Sequence, residues 1–491
     1  MNRPEPVRDL DWSSERAEKL GRDVVQMWAE FLEKLPEMPV DRGLRESTVR
    51  EAVLRDVPAQ GMEDDELVTY LRTVVFEASM YPGHPGFMAY VSGAGTVPGA
   101  AADLVASFLN QNVGGWRLGP AATEIELALM RWMASCFGLP EGAGGIVQSG
   151  GAMATLVCLK AARDRIAGYE VRATGLGGGP QLAFYCSQEA HVVIARAGDI
   201  LGLGADHVRK IPVDERFAMR VDALEEAIEA DIAAGIRPAV IAGTAGTTAT
   251  GAIDPLAELA ALAKRHDMWF HVDGAYGGAA VLVEELRGLF TGIEQADSIA
   301  FDPHKWLYTP HSGGCAILRD FADLPRSFAA VAGYIHEDKE LTQRGVDMGQ
   351  LSPQFSRGFH ALKIWVSLLA HGTDAYARRI GHDVQLASYL ASQVEAHPEL
   401  ELMTPASLSI CCFRYVPQGK ADDEEYLNRL NERLMPLGQL DGRVYLSNAI
   451  LDGAFCQRAC ITNFRTEAEH MDAVIDMTLR IGRDLHNQMS P

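Results

Sequence analysis

Apolar residues recur at helical spacing over residues 13–35, where Leu20, Val24, Met27, Trp28, Phe31 and Leu32 form one stripe. Ser13-Ser14-Glu15 supplies a helix start, and the stretch from Pro36 to Pro39 a stop. Two further helical segments follow, one ending near residue 54 and one spanning 64–76. They carry little polar chemistry. An amphipathic arm cannot bury its stripe alone, so these helices pack on a partner chain or on their own domain; the pattern leaves both open.

At Tyr81-Pro82-Gly83-His84-Pro85-Gly86-Phe87 the chain turns to Gly, Pro and aromatics, which reads as a loop entering a main domain. From there to about residue 320, short apolar runs alternate with helical patterns. Runs at 145–148, 182–186, 239–242 and 269–272 are largely apolar and are followed by small residues. Continuous apolar strands alternating with helices predict an α/β fold with a mainly parallel sheet covered on both faces. Such sheets carry their sites at the strand C-termini. A helix is predicted over 359–369, strands at 409–414 and 459–461, and helices between and after them. The expected division is a helical arm over residues 1–80, a large α/β domain over 81–372 and a small α+β domain over 373–491.

Composition narrows the function. Of 491 residues, 47% are hydrophobic and 22% charged, an ordinary globular balance. The formal charge of −22, from 44 basic and 66 acidic side chains, argues against nucleic acid or an anionic membrane as partner. The N-terminal Met1-Asn2-Arg3-Pro4-Glu5-Pro6 lacks the apolar core of a signal peptide, and no apolar run is long enough to span a bilayer. The eight cysteines include no Cys-x-x-Cys pair, and most sit in apolar patterns as buried thiols do. A reducing cytoplasm is the expected compartment.

The chemistry sits in two segments, His271-Val272-Asp273-Gly274-Ala275-Tyr276 and Asp302-Pro303-His304-Lys305-Trp306. A lysine in an aromatic, apolar loop is set to lose its charge and act as a nucleophile. An aspartate at a strand end is set either to cap a turn or to face the crevice. Together they supply what pyridoxal phosphate (PLP) needs: a lysine for a Schiff base and an acid that keeps a proton on the pyridine nitrogen. Gln148-Ser149-Gly150-Gly151-Ala152-Met153-Ala154-Thr155 follows a strand and opens a helix, which suits a phosphate at a helix N-terminus or merely tight packing. It lacks the Gly-Lys-Ser/Thr ending of a P-loop. His191, after the strand ending at Cys186, either stacks on a pyridine ring or makes a local helix-start bond. Gly246-Thr247-Thr248 also follows a strand and reads as a polar turn or a ring contact.

This ordered set resembles the group II PLP-dependent amino acid decarboxylases, the family of aromatic-L-amino-acid decarboxylase. The resemblance covers nearly the whole chain, from the arm through His84-Pro85, Ala89-Tyr90, Pro120 with Thr123 and Glu124, the loops above, and Arg357, Leu362-Lys363 and Trp365. It implies a PLP-dependent transferase of fold type I with a seven-stranded sheet, working as a homodimer with active sites near the subunit interface. It implies Lys305 as the Schiff-base lysine, Asp273 as the pyridinium partner and His191 as the stacking residue. Ala275 would lie on the other ring face, Gly151 and Ala152 at the phosphate, and Asp302, His304 and Thr248 beside the cofactor. Tyr90, Ser92, Trp116 and His191 are the expected substrate contacts.

Two departures from the family pattern stand out. The stretch Leu341-Thr342-Gln343-Arg344-Gly345-Val346-Asp347-Met348-Gly349-Gln350-Leu351 lacks the tyrosine that reprotonates Cα in the family, and ungapped matching puts Met348 near its place. His191 or His336 is then the expected proton source. Otherwise the lost proton donor diverts the reaction to oxidative deamination and an aldehyde. Second, Val91-Ser92-Gly93 and Gly114-Gly115-Trp116-Arg117 replace bulkier pocket residues, and Arg117 opens the option of an acidic substrate. The expected function is decarboxylation of an L-amino acid, aromatic by preference, to its amine. A metal enzyme built on His266, Asp267, His271 and Asp273 is disfavoured because no second cluster has zinc-like spacing, so no metal is expected. A serine hydrolase at Ser149 lacks its Gly-x-Ser-x-Gly elbow. A non-catalytic protein of the same fold is disfavoured by the presence of both Lys305 and Asp273.

Overall fold

The computed structural model of the chain describes residues 7–53, 56–330 and 345–489. The first helix is Ser14–Lys34, capped by Ser13 Oγ, which accepts the Arg16 N–H at 3.3 Å. Glu46–Val53 and Asp64–Tyr70 follow, the latter continuing as a π-helical turn, Leu71–Phe76. Ion pairs Arg16–Asp64 (2.7 Å) and Lys19–Asp65 (2.8 Å) tie the third helix to the first. Phe31 packs edge-on against Phe76 and Tyr81, yet Met27 is the one fully buried residue of the first helix.

Seven strands form the large sheet: β1 Gly144–Gln148, β2 Leu182–Ser187, β3 Val208–Ile211, β4 Arg237–Thr244, β5 Trp269–Asp273, β6 Ser298–Phe301 and β7 Gly314–Leu318. Their order is β1-β7-β6-β5-β4-β2-β3, and β7 alone runs antiparallel to its neighbours. Side chains alternate between two cores. Tyr185, Phe270 and Val272 enter one, while Phe184, Cys186 and Trp269 enter the other. Helices cover both faces, which is why the central strands are buried and mostly apolar. A second, antiparallel sheet is built from β8 Leu400–Leu402, β9 Ile410–Tyr415, β10 Ser447–Leu451 and β11 Ala454–Cys460, in the order β10-β11-β9-β8. It has its own core with helices Thr373–Ala396, Glu424–Leu440 and Ala468–Met489. No described helix is long and apolar enough to cross a membrane.

Register decides where the strand ends fall. Thr244 of β4 lies opposite Asp273 of β5, which lies opposite Ala300 of β6. The buried carboxylate of Asp254 secures the end of β4 by accepting the N–H groups of Thr244 and Met219, each at 2.7 Å, and burial pushes its pKa up to about 6. The end of β1 is held by a fully buried ion pair. Arg357 Nη2 reaches Glu126 Oε1 at 2.7 Å, and the same oxygen accepts the Val147 N–H at 2.8 Å. Glu126→Ala leaves a guanidinium at zero exposure without its carboxylate, a loss of the order of 3–5 kcal/mol. Urea denaturation should show that fall in midpoint, and the apolar double variant Glu126→Leu with Arg357→Met should recover part of it.

Candidate active site

Five strands deliver their following loops to one cavity of about 220 Å³. Gly151, Ala152 and Thr155 come after β1, and His191 and Val193 after β2. Thr244, Gly246 and Thr248 come from the end of β4, Asp273, Ala275 and Tyr276 from the end of β5, and Asp302 and Lys305 from the loop after β6. This is the crevice at the strand carboxyl ends where open α/β sheets bind ligands.

The lysine loop departs from the expected apolar setting. Trp306, Leu307 and Tyr308 turn into the core and are buried, whereas Lys305 Nζ faces the cavity and pairs with Asp302 Oδ2 at 3.1 Å. Asp302 is 2% exposed, and its Oδ1 has no hydrogen-bond partner among the described residues, a costly state for a buried oxygen. His304 Nδ1 donates to the Gly313 carbonyl at 2.5 Å, and its ring packs 4.5 Å from that of His311.

Asp273 combines both options open to it. Oδ1 accepts the Ala275 N–H at 3.1 Å and so caps the turn, while Oδ2 has no protein hydrogen-bond partner among the described residues and the side chain lines the cavity. Two residues earlier on the same strand, His271 is fully buried against Ser298 Oγ at 2.8 Å, and burial pushes its pKa down to about 4. It stays neutral and structural. His191 also combines both readings. Its Nδ1 accepts the Val193 N–H at 3.3 Å, which leaves the ring proton on Nε2, and the ring lines the cavity. Desolvation there lowers its pKa.

At the third corner, helix Gly151–Ile166 points its N-terminus at the cavity. A Cβ at Gly151 would collide with the Asp302 carboxylate, so the close approach of helix and loop requires glycine. Backbone N–H groups and the helix dipole meet an anion there. An amine, a carboxylate with a free oxygen and an anion-binding helix end around one cavity fit a phosphorylated pyridine aldehyde. Among the described residues no group of three metal-ligating side chains occurs.

Of the residues singled out from sequence, Gly151, Ala152, His191, Thr248, Asp273, Ala275, Asp302 and Lys305 line this cavity; His304, Tyr90, Ser92 and Trp116 do not. Tyr90 is 61% exposed. Ser92 Oγ bonds His311 Nε2 at 3.2 Å, and Trp116 Nε1 donates to Glu124 at 2.9 Å. Arg117 is exposed outside the cavity. Met348 is fully buried in the core beside helix Gly151–Ile166 and does not face the cavity. His336 lies outside the described residues.

Sequence reasoning missed Arg458. It is 2% exposed and donates to the carbonyls of Ala249 (3.1 Å) and Tyr90 (2.9 Å) and to Ser447 Oγ (3.2 Å), with Nη2 unpartnered and no carboxylate in ion-pair range among the described residues. A buried cation without an anion is costly. The available signal was a charge inside the strand-like run Cys456-Gln457-Arg458-Ala459-Cys460.

Fold and cavity define a class, and the chain belongs to it: the pyridoxal-dependent decarboxylase conserved domain matches residues 49–416. The chain is 32% identical over 463 residues to an aromatic-L-amino-acid decarboxylase of Bacillus atrophaeus, covering 94% of this chain and 95% of the relative. It is 28% identical to a phenylacetaldehyde synthase of Arabidopsis thaliana, covering 93% and 94%. The crystal structure of Oryza sativa TDC with PLP and tryptamine superposes with a TM-score of 0.90 at 26% identity, covering 97% of this chain and 99% of that one. The protein is a PLP-dependent amino acid decarboxylase of fold type I.

The glycine contact gives a direct test. Gly151→Val should weaken PLP binding about tenfold or more, ~1.4 kcal/mol, in an absorbance titration of the apoenzyme. Gly177→Val, whose added Cβ meets nothing within 4 Å, should leave it unchanged.

Proposed function

We propose that the chain converts an aromatic L-amino acid to its amine and carbon dioxide, with Lys305 carrying the cofactor covalently. One observation supports this above others: Lys305 Nζ, the Asp273 carboxylate and the N-terminus of helix Gly151–Ile166 share one cavity. When bound, PLP supplies an aldehyde for amine capture and a protonated ring that accepts the electron pair left by carbon dioxide. The uncommitted Oδ2 of Asp273 holds that ring proton. Gly151 and Ala152 receive the phosphate on backbone N–H groups. His191 and Ala275 line the cavity that would hold the ring, with Thr248 and Asp302 beside them, whereas His304 lies outside it. Asp302 keeps the Lys305 amine at the cavity while the amine is free. His191, with its proton on Nε2, is the group placed to return a proton to Cα. Tyr90, Ser92 and Trp116, away from this cavity in a single chain, contact substrate in the assembled enzyme.

An aromatic side chain is favoured over an acidic one because no arginine lines the described cavity. The names of the relatives point the same way, toward aromatic amino acids. The aldehyde outcome is the second reading, supported by the buried thioether at Met348 and by the likeness to a phenylacetaldehyde synthase. A panel of L-amino acids assayed together for carbon dioxide, amine, aldehyde and peroxide separates the two. Amine equal to carbon dioxide is the expected result, and stoichiometric aldehyde and peroxide would replace it with the second reading. Lys305→Ala should lose the covalent PLP absorption band and carbon dioxide release together.

We further infer a homodimer in the cytoplasm. Helix Val97–Leu109 presents Val97, Leu104, Val105, Phe108 and Leu109 to solvent in the single chain, with Phe108 71% exposed. Such a contiguous apolar face calls for a partner. The described cysteines are all free thiols, in keeping with a reducing compartment. Phe108→Asp should shift the protein toward monomer in sedimentation and lower its turnover.

A further inference from the structure

Asp383, on helix Thr373–Ala396, is a carboxylate at zero exposure that lies outside the cavity. Its Oδ2 accepts two hydrogen bonds, from Trp306 Nε1 at 2.9 Å and from the Tyr308 hydroxyl at 2.7 Å. Its Oδ1 accepts two more, from Arg379 Nε at 2.9 Å and Nη2 at 2.7 Å. Arg379 is anchored in turn to the Thr466 carbonyl at 2.7 Å and Glu467 at 2.9 Å. The two aromatic donors are the residues one and three places after Lys305.

Each donor has a reason to need holding. Tyr308 has φ of +52°, the left-handed region that a bulky side chain avoids. Its hydroxyl is pinned by Asp383, while its backbone carbonyl accepts the Thr96 N–H at 2.8 Å. Trp306 stacks on Tyr276 with ring centres 4.9 Å apart, and Tyr276 lines the cavity. Burial pushes the Asp383 carboxyl up to about 6 against the pull of Arg379, so it is ionised at neutral pH. Tyr308, its own pKa raised by burial, remains a donor. Hydrogen bonds to an ionised acceptor are the strong, directional kind.

We propose that Asp383 is a positioning residue for Lys305: by gripping the aromatic side chains on the far side of the loop, it fixes the backbone that aims Nζ into the cavity. This rests on Lys305 as the cofactor lysine. Asparagine cannot replace it, because its single acceptor oxygen serves one donor pair and its amide N–H groups confront the other.

The test compares Asp383→Asn, Tyr308→Phe, Trp306→Phe and Asp383→Asn/Tyr308→Phe with the parent holoenzyme. Borohydride reduction followed by peptide mapping locates the cofactor. The visible absorption band, the PLP dissociation constant and separate kcat and KM values report the positioning. Asp383→Asn should still be labelled at Lys305, with a shifted visible band and kcat lowered about ten- to a hundredfold at little changed KM. Tyr308→Phe should lose less, and the double variant no more than Asp383→Asn, since both remove one interaction. A folded Asp383→Asn with the parental band and kcat within about twofold overturns the proposal. If that variant does not fold, unchanged band and kcat in both Tyr308→Phe and Trp306→Phe overturn it instead. A parent enzyme labelled elsewhere than Lys305 sinks the cofactor reading and the brace with it.

Discussion

Parallel hydrogen bonding between β2, β4, β5 and β6 is the constraint from which the site follows. Parallel ladders force these strands to begin at one edge and end at the other, and their register makes the ends coincide. β1 joins them because β7, antiparallel to both its neighbours, restores the direction between β6 and β1. Five loops from distant parts of the sequence therefore open onto one cavity. No single loop carries a complete site. A one-residue slip of β5 would turn Asp273 to the opposite face of the sheet, which is why its register is fixed from both sides and again by the Gly274 N–H to the Ala300 carbonyl at 2.9 Å.

The second requirement is to keep polar groups available at the edge of an apolar core. The structure does this by dividing the labour within each side chain. One oxygen of Asp273 caps a turn and the other is left for a ligand. One nitrogen of His191 accepts a backbone N–H, and the other keeps the proton. Asp302 spends one oxygen on Lys305, and the other has no hydrogen-bond partner among the described residues. A partly satisfied polar group is costly in an apolar core, and this oxygen lies on a residue lining the cavity, where a charged ligand would repay it. Of the carboxylates serving structure alone, Asp254 and Asp383 are met on both oxygens by backbone N–H groups, buried donors or arginine, and Glu126 on Oε1 alone.

Much of this was legible in the sequence because loop chemistry is local. A small-residue turn after an apolar strand marks Gly151 and Thr248 as candidates, each with a bland alternative when taken alone, and the order of the five loops specifies the family. The edge and antiparallel strands were harder to read. β3 is four residues long with Arg209 and Lys210 inside it, and β7 follows the lysine loop where another helix would continue the alternation. Long-range pairs left no local trace. Nothing near Lys305 announces that Asp383, far along the chain, receives its neighbours, and nothing near Tyr90 announces Arg458. The expectation for Lys305 itself went astray for a related reason. Apolar neighbours in sequence suggested an apolar environment, but in a tight loop adjacent side chains diverge, and those of Trp306 and Tyr308 fill the core while the amine faces a carboxylate.

The segments around Trp116 and Met348 meet in space. Asp347 Oδ1 accepts the Trp116 N–H at 2.9 Å, and the Gly349 N–H donates to the Gly114 carbonyl at 2.8 Å. Between those two bonds sits Met348, buried with Leu351 against the core of the large sheet. The segment around Met348 and the segment around Trp116 are thus hydrogen-bonded partners, and each constrains the backbone of the other. A tyrosine placed at 348 alone would overfill a closed site and have to bury its hydroxyl there. A substitution at 348 is therefore a change in how a whole patch packs, and a bulkier polar side chain there would require the residues around Trp116 to change with it.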